Sequence, residues 1–397
     1  MAPQWQHGDM TGAGTTRRTR TRAALLAPVL VVVLTTAACS SPVDPGQPAP
    51  TAPPTGAETS SPPSPTATPR PGRPAPVTIA LAGDVHFEGV LRDRLIDPTT
   101  ALGPASAQLA AADLAIVNLE TSLGTGGSPD PSKRFTFTAG PEALTALSSA
   151  GVDVATMANN HALDFGRERL PTTLRAIAGA RRAEPPLDVI GIGRDADDAF
   201  APAITETGGT AVATVTASLA DQDPTADPTG EWAAGDDIAG IADAIDPTRL
   251  LAAVRRADRL ADVVVAYLHW GVQGDACPSA DQRGIAERLV AAGADVVAGT
   301  HAHRLQGDGP LGAGYVAYGL GNFAWYSPGP TGILTLTVRP PREPSGRAEV
   351  TRSQWWAGEI GVDGLPRPVD GQAAAASEAN RSELRSCAGL DKSPGRR

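Results

Sequence analysis

The chain has 397 residues and a formal net charge of −10. Length alone allows one large domain or two small ones. An acidic chain lacks the basic footprint that a phosphate backbone requires, so nucleic acid is excluded as a partner.

Arg17, Arg18, Arg20 and Arg22 precede the apolar run AALLAPVLVVVL, which ends in the small residues TTAACS. That order of basic, apolar and small-residue segments predicts a secretion signal over residues 1–39; the run is too short for a comfortable bilayer span. Cys39 follows Ala37 and Ala38 as the modified cysteine of a lipoprotein does, although Thr36 stands where leucine is commoner. Diacylation there would anchor the mature chain on the outer face of a membrane; the alternative is cleavage near Ala38 and release. Residues 40–76 are almost wholly Pro, Thr, Ser, Ala and Gly, a composition that favours extended polyproline structure and predicts a semi-rigid stalk. With Cys39 lipidated, Cys277 and Cys387 are left as an even pair in an oxidising compartment, and a disulfide is expected.

From residue 77 to 365 the apolar runs VTIALAGD, DLAIVNLE, GVDVATMANN, LDVIGIG, DVVVAYLHWG, ADVVAGTH and GYVAYGLGN have strand length and end in turn residues. Helical patterns lie between several of them: GPEALTALSSAG with Pro141 at its start, PTRLLAAVRRADRLA, and ADQRGIAERLVAAGA. ITETGGTAVATVTAS predicts a hairpin with a Gly-Gly turn, and GILTLTV with AEVTRSQWWAGEI predicts a second antiparallel pair. The class expected is α/β, with two stacked mixed sheets and helices outside. DQDPTADPTGEWAAGDD reads as a polar insertion, and residues 366–397 as a polar, disordered tail. No internal repeat is evident.

Polar clusters close these runs, where α/β folds collect their active sites. They supply Asp84 and His86, Asn118 and Glu120, Asn159, Asn160, His161 and Asp164, then His269, His301 and His303. Five of the six histidines are therefore at strand ends, the other being His7. A lone strand-end histidine is usually a loop or core residue. Five together, with carboxylates and an amide but no cysteine, form the donor set of a borderline divalent metal.

The ordered motifs GD, NLE, ANNHALDFG, HWG, GTHAH and GLGNF, spanning Pro76 to Val338, resemble the CapA family of capsule or poly-γ-glutamate synthesis proteins, which is similar to calcineurin-like metallophosphatases. The resemblance implies a four-layer αββα sandwich with two divalent metal ions (Mn, Fe or Zn) at the sheet ends. It implies Asp84, His86 and His303 as ligands of one ion and Asn160, His269 and His301 of the other. Glu120 takes the place of the bridging carboxylate, since two cations about 3.5–4 Å apart need a shared anion. Family members often have methionine where this chain has His86, which brings the first motif nearer to active phosphatases. HWGVQG has Gln273 and Gly274 where the family usually has Glu and Tyr, so substrate contacts outside the metals differ.

His161 remains beside a ligand and is the candidate proton donor to a leaving group, with Asp164 orienting its ring. Lys133, Arg134 and Asn322 are candidate contacts for an anionic substrate, although a charged pair before a strand such as Lys133 and Arg134 is more often solvated; Asn322 also suits support of a ligand from behind. Trp270 walls the site or packs in the core, and Trp355 and Trp356 pack on a strand. The function expected is an extracytoplasmic, lipid-anchored, metal-dependent hydrolase of phosphoester or related bonds in capsule or envelope polymer metabolism. The alternative is a non-catalytic anchored subunit that holds or exports an anionic polymer such as poly-γ-glutamate, within a capsule synthesis complex.

Overall fold

Strands buried on both faces read as unbroken apolar runs, and the runs singled out above become the centres of two sheets. The computed structural model describes residues 74–220, 229–343 and 346–390. The expected signal segment, Cys39, nearly all of the stalk, and residues 221–228 of the polar insertion lie outside the described residues.

The strands of the two large sheets are β1 Val77–Val85, β2 Leu114–Leu119, β3 Val154–Thr156, β4 Asp188–Ile190, β5 Ala203–Thr207, β6 Thr210–Leu219 and β7 Val263–Trp270. They continue with β8 Val296–His301, β9 Asp308–Leu311, β10 Gly314–Ala317, β11 Asn322–Ala324, β12 Gly329–Arg339, β13 Glu349–Ile360 and β14 Pro366–Pro368. The first sheet has eight strands in the order β14-β13-β12-β1-β2-β3-β4, with β11 beside the end of β1. Its β1-β2-β3-β4 half is parallel and its β1-β12-β13-β14 half antiparallel. The second sheet runs β9-β10-β8-β7-β6-β5, parallel in the middle with an antiparallel pair at each edge. The predicted hairpin is one of those edges, its turn made by Gly208 and Gly209 at φ 58° and 76°.

Side-chain alternation then fixes four layers. Ile79, Leu81, Leu114 and Ile116 of the first sheet meet Val263, Val265, Tyr267 and Val296 of the second. The intervening residues Ala80, Ala82, Ala115 and Val117 face helices α1 Glu142–Ser149 and α2 Leu170–Ala180. Val264, Ala266, Leu268 and Val297 face α3 Thr248–Asp258 and α4 Ala280–Ala292. Each buried aliphatic side chain contributes roughly 1.5–3 kcal/mol. Helix α4 is delimited by a Ser279/Gln282 capping box and by Gly293 at φ 125°. The result is the helix–sheet–sheet–helix sandwich that the sequence led us to expect.

The C-terminal segment departs from expectation. It is not a loose tail: Pro366–Pro368 joins the first sheet, and α5 Gly371–Ala388 is an 18-residue helix. Arg381 grips buried Asp308 with both carboxylate oxygens (2.9 and 3.0 Å), and Arg385 adds a bond at 3.2 Å. Leu384, Ala388 and Leu390 are buried beside these ion pairs. Cys387 is bonded to Cys277, with Cα atoms 5.7 Å apart, so the helix is also tethered to the loop after β7.

Candidate metal centre

The parallel strands end together, and their last residues build one buried cluster. Asp84 lies on β1, Glu120 follows β2, Asn160 and His161 follow β3, His269 lies on β7, and His301 ends β8 with His303 just beyond. Gly83 lets the loop before β11 approach Asp84: a Cβ there would sit 1.9 Å from the Gly321 carbonyl oxygen, whereas now Asp84 N donates to that oxygen at 2.9 Å. His301 and His303 adopt left-handed backbone, φ 85° and 53°, which costs energy in non-glycine residues and concentrates at functional sites.

Much of the cluster is held by residues that do not themselves face its centre. The Asn118 amide donates to Asp84 Oδ1 (2.8 Å), and its oxygen accepts from Thr156 and Asn159, so one side chain ties β1, β2 and β3. Asn159 also accepts from the His161 amide at 3.1 Å. The first asparagine of NNH is therefore scaffold, and the second turns inward. His303 Nδ1 donates to Asn322 Oδ1 at 2.8 Å, which gives Asn322 the supporting place and leaves Nε2 3.9 Å from Glu120.

What remains is a concentration of unpaired polar atoms. Both oxygens of Glu120, Asn160 Nδ2, His301 Nε2 and His86 Nε2 are buried without a hydrogen-bond partner. Glu120 Oε1 faces Nε2 of His269, His161 and His303 at 3.7, 3.8 and 3.9 Å. His269 Nδ1 lies 3.0 Å from Thr300 Oγ1 and 3.3 Å from the Asn118 amide nitrogen, and its Nε2 lies 2.7 Å from Asn160 Oδ1 and 3.0 Å from His301 Nδ1. A proton or a cation must lie between any two of these atoms that are both acceptors. Asp84, Glu120 and His303 also bring one ligand atom each to within 4.8 Å of one another.

Electrostatics point the same way. Burial, then repulsion from neighbouring histidines (His301 for His269, His303 for His301), holds His269 and His301 well below the usual imidazole range, so both rings are neutral, the form that binds metal. Burial and the neighbouring Asp84 push the Glu120 carboxyl well above its usual range. A cation would remove that penalty. The residues present therefore fit a divalent metal.

His86, one of the ligands implied by the resemblance, has its Nδ1 2.9 Å from the Glu88 amide and its Nε2 buried without a hydrogen-bond partner. It sits among Phe137, Trp325 and Tyr326 at centroid distances of 4.8, 4.1 and 4.8 Å.

His161 stacks on Phe137 at 4.0 Å and donates from Nδ1 to Asp164 at 2.6 Å, the orientation expected of that pair. Burial is the main reason its pKa is lowered to about 4. Lys133 has a different setting from the one its sequence position suggested. Its side chain is 4% exposed and pairs with Asp164 at 2.5 Å. Arg134 is exposed and lies over Phe135. Trp270 is core: it is 1% exposed and its Nε1 donates to the Tyr318 carbonyl. Trp355 packs on β13, its indole donating to Ser377 of α5. The aromatic wall of Phe137, Trp325 and Tyr326 was not anticipated; the signal for it was RFTFTAG and NFAWY at strand ends.

The fold is a helix–sheet–sheet–helix sandwich with a buried cluster of histidines and carboxylates at its strand ends. Residues 78–327 match the family described as bacterial capsule synthesis protein PGA_cap, and the chain belongs to that family. It is 31% identical over 198 residues to a capsule biosynthesis protein CapA of Bacillus anthracis, covering 49% of this chain and 45% of that protein. It is 29% identical over 216 residues to a PGA biosynthesis protein CapA of Bacillus subtilis, covering 53% of each. The chain thus spans about half the length of the curated relatives it matches. Among solved structures, a novel phosphatase from Mycoplasma pneumoniae aligns with TM-score 0.43 and 13% identity over 72% of this chain and 95% of that one.

Proposed function

We propose that this protein is an exported, metal-dependent hydrolase of phosphoester or related bonds that serves capsule or poly-γ-glutamate assembly, tethered to the membrane by lipid at Cys39. The observation that carries the hydrolase reading is the convergence of unpaired buried donor atoms around Glu120. Asp84, His86, Glu120, Asn160, His269, His301 and His303 would hold the metal. A pair of divalent ions at such a donor set neutralises charge developing on a phosphoryl or carbonyl oxygen and lowers the pKa of water.

The chain's own residues do the rest. His161, neutral in the free protein, keeps its Nδ1 proton on Asp164 and turns Nε2 toward the centre. An anionic substrate raises the proton affinity of that ring, so Nε2 takes up a proton from solvent as substrate binds and then passes it to the leaving oxygen. Buried Phe137, stacked on the ring and backed by buried Trp325, excludes water from that side of the ring.

Purified protein should be stripped, reloaded with Mn, Fe or Zn, and assayed against phosphoesters and γ-glutamyl oligomers. Bound metal with metal-dependent turnover supports the reading. Bound metal with no turnover of either class returns the chain to the role of a non-catalytic subunit that holds an anionic polymer. No metal binding at all sinks both the metal and the hydrolase claims.

A further inference from the structure

We infer that Lys133 is a positioning residue for the metal centre and not an anion contact, an inference that rests on the hydrolase reading of the same site. The chain contains two lysines, Lys133 and Lys392, against a background of arginine. A lysine after the exposed turn Ser128–Ser132 would ordinarily extend into solvent. Instead its ammonium is buried between two segments of the site. It donates to Asp164 Oδ1 at 2.5 Å and to the backbone carbonyl of Asn160. It lies 4.8 Å from the ring centroid of Trp232, which is itself buried. Two strong acceptors and an aromatic face account for the ammonium, and a substrate anion would have to displace one of them.

The two acceptors matter because of what they carry. Asp164 holds the His161 ring through Nδ1 and also accepts from the Phe137 amide at 2.6 Å. Asn160 presents its side-chain oxygen to His269 at 2.7 Å, and the bond to its carbonyl holds the backbone from which that side chain projects. One ammonium therefore sets both the proposed proton donor and a proposed metal ligand. The arrangement is locked from outside: Arg167, just past Asp164, donates to the carbonyls of Glu231, Ala233 and Ala239, holding the Trp232 segment over the ammonium.

Lys133→Met should weaken Mn²⁺ binding in titration calorimetry about 10–100-fold, the range typical of groups that orient ligands. Turnover of p-nitrophenyl phosphate should fall in kcat, with KM and the inhibition constant of inorganic phosphate within about twofold of wild type. A raised KM and inhibition constant with kcat and metal affinity unchanged would mean that Lys133 meets substrate, and the inference fails. The wild-type protein supplies a second measurement that needs neither a folded variant nor turnover. Reductive methylation read by mass spectrometry should spare Lys133 in the native chain and modify it after denaturation, with or without added phosphate. Equal rates in both states, or protection only when phosphate is present, would overturn the assignment.

Discussion

Around Asp308 each charge closes on another. Arg381 and Arg385 bind its carboxylate, the Tyr315 hydroxyl donates to it, and Glu378 ties the two guanidinium groups from the solvent side. Around Glu120, about as deeply buried, the same kinds of atoms are left open: both carboxylate oxygens lack a partner and the facing imidazoles stand 3.7–3.9 Å away. A buried polar group without a partner costs about 1–3 kcal/mol, so a chain tolerates several together only where something else completes them. The difference separates a structural ion cluster from a binding site without reference to any relative.

The largest effect should come from the open region. Glu120→Gln should abolish stoichiometric metal binding, measured on dialysed protein. It should also raise the stability of the metal-free protein by about 1–3 kcal/mol in urea titrations, because an unpartnered buried carboxylate is replaced by a neutral amide. A variant that loses both metal and stability would show that Glu120 has a structural partner, and the contrast with Asp308 would collapse.

The closed region should answer in the opposite sense. Asp308→Ala leaves Arg381, with 7% of its side chain exposed, without its main counter-charge, and breaking such a pair costs about 3–5 kcal/mol. Its metal content should stay at the wild-type level. Reduction of the Cys277–Cys387 bond, which closes 110 residues, should lower stability by about 2–4 kcal/mol, again with metal retained. Loss of metal in either experiment would mean that α5 and the loop after β7 reach the centre.

The open region was far more legible in the sequence than the closed one. His269 and His301 end apolar runs whose strand character is plain from composition, and parallel strands bring their ends together, so local pattern implied a shared place. The contact of His86 Nδ1 with the Glu88 amide was not readable, because it forms only in the folded turn. The burial of Lys133 was not readable for a similar reason: its partners are 27 and 31 residues away. Helix α5 was missed because its buried positions are Arg381, Leu384 and Ala388, a stripe that includes an arginine and carries little apolar signal. The arginine is buried only because Asp308, 73 residues earlier, waits for it.

Asp295 lies between the two cases and tests how complete a partnership must be. Its carboxylate accepts from the Val264 amide at 2.9 Å and from Arg347 Nε at 3.0 Å, yet burial still pushes its carboxyl up to about 6. In the unfolded chain the same group titrates near ~3.9. Between those values the folded protein holds a proton that the unfolded chain has released, so stability falls as pH rises through the window, and the penalty is complete above about pH 6. A displacement of that size corresponds to about 2–3 kcal/mol. Urea denaturation of wild type and Asp295→Asn at steps from pH 4 to 7 isolates it, since Glu120 and every other titrating group is common to both proteins. The stability of wild type relative to the variant should be greater at pH 4 than at pH 7 by about that amount. A difference that is flat, or that grows toward pH 7, would mean that backbone amides and one guanidinium suffice to keep a buried carboxylate charged without penalty. The Asp308 cluster would then need fewer partners than it has.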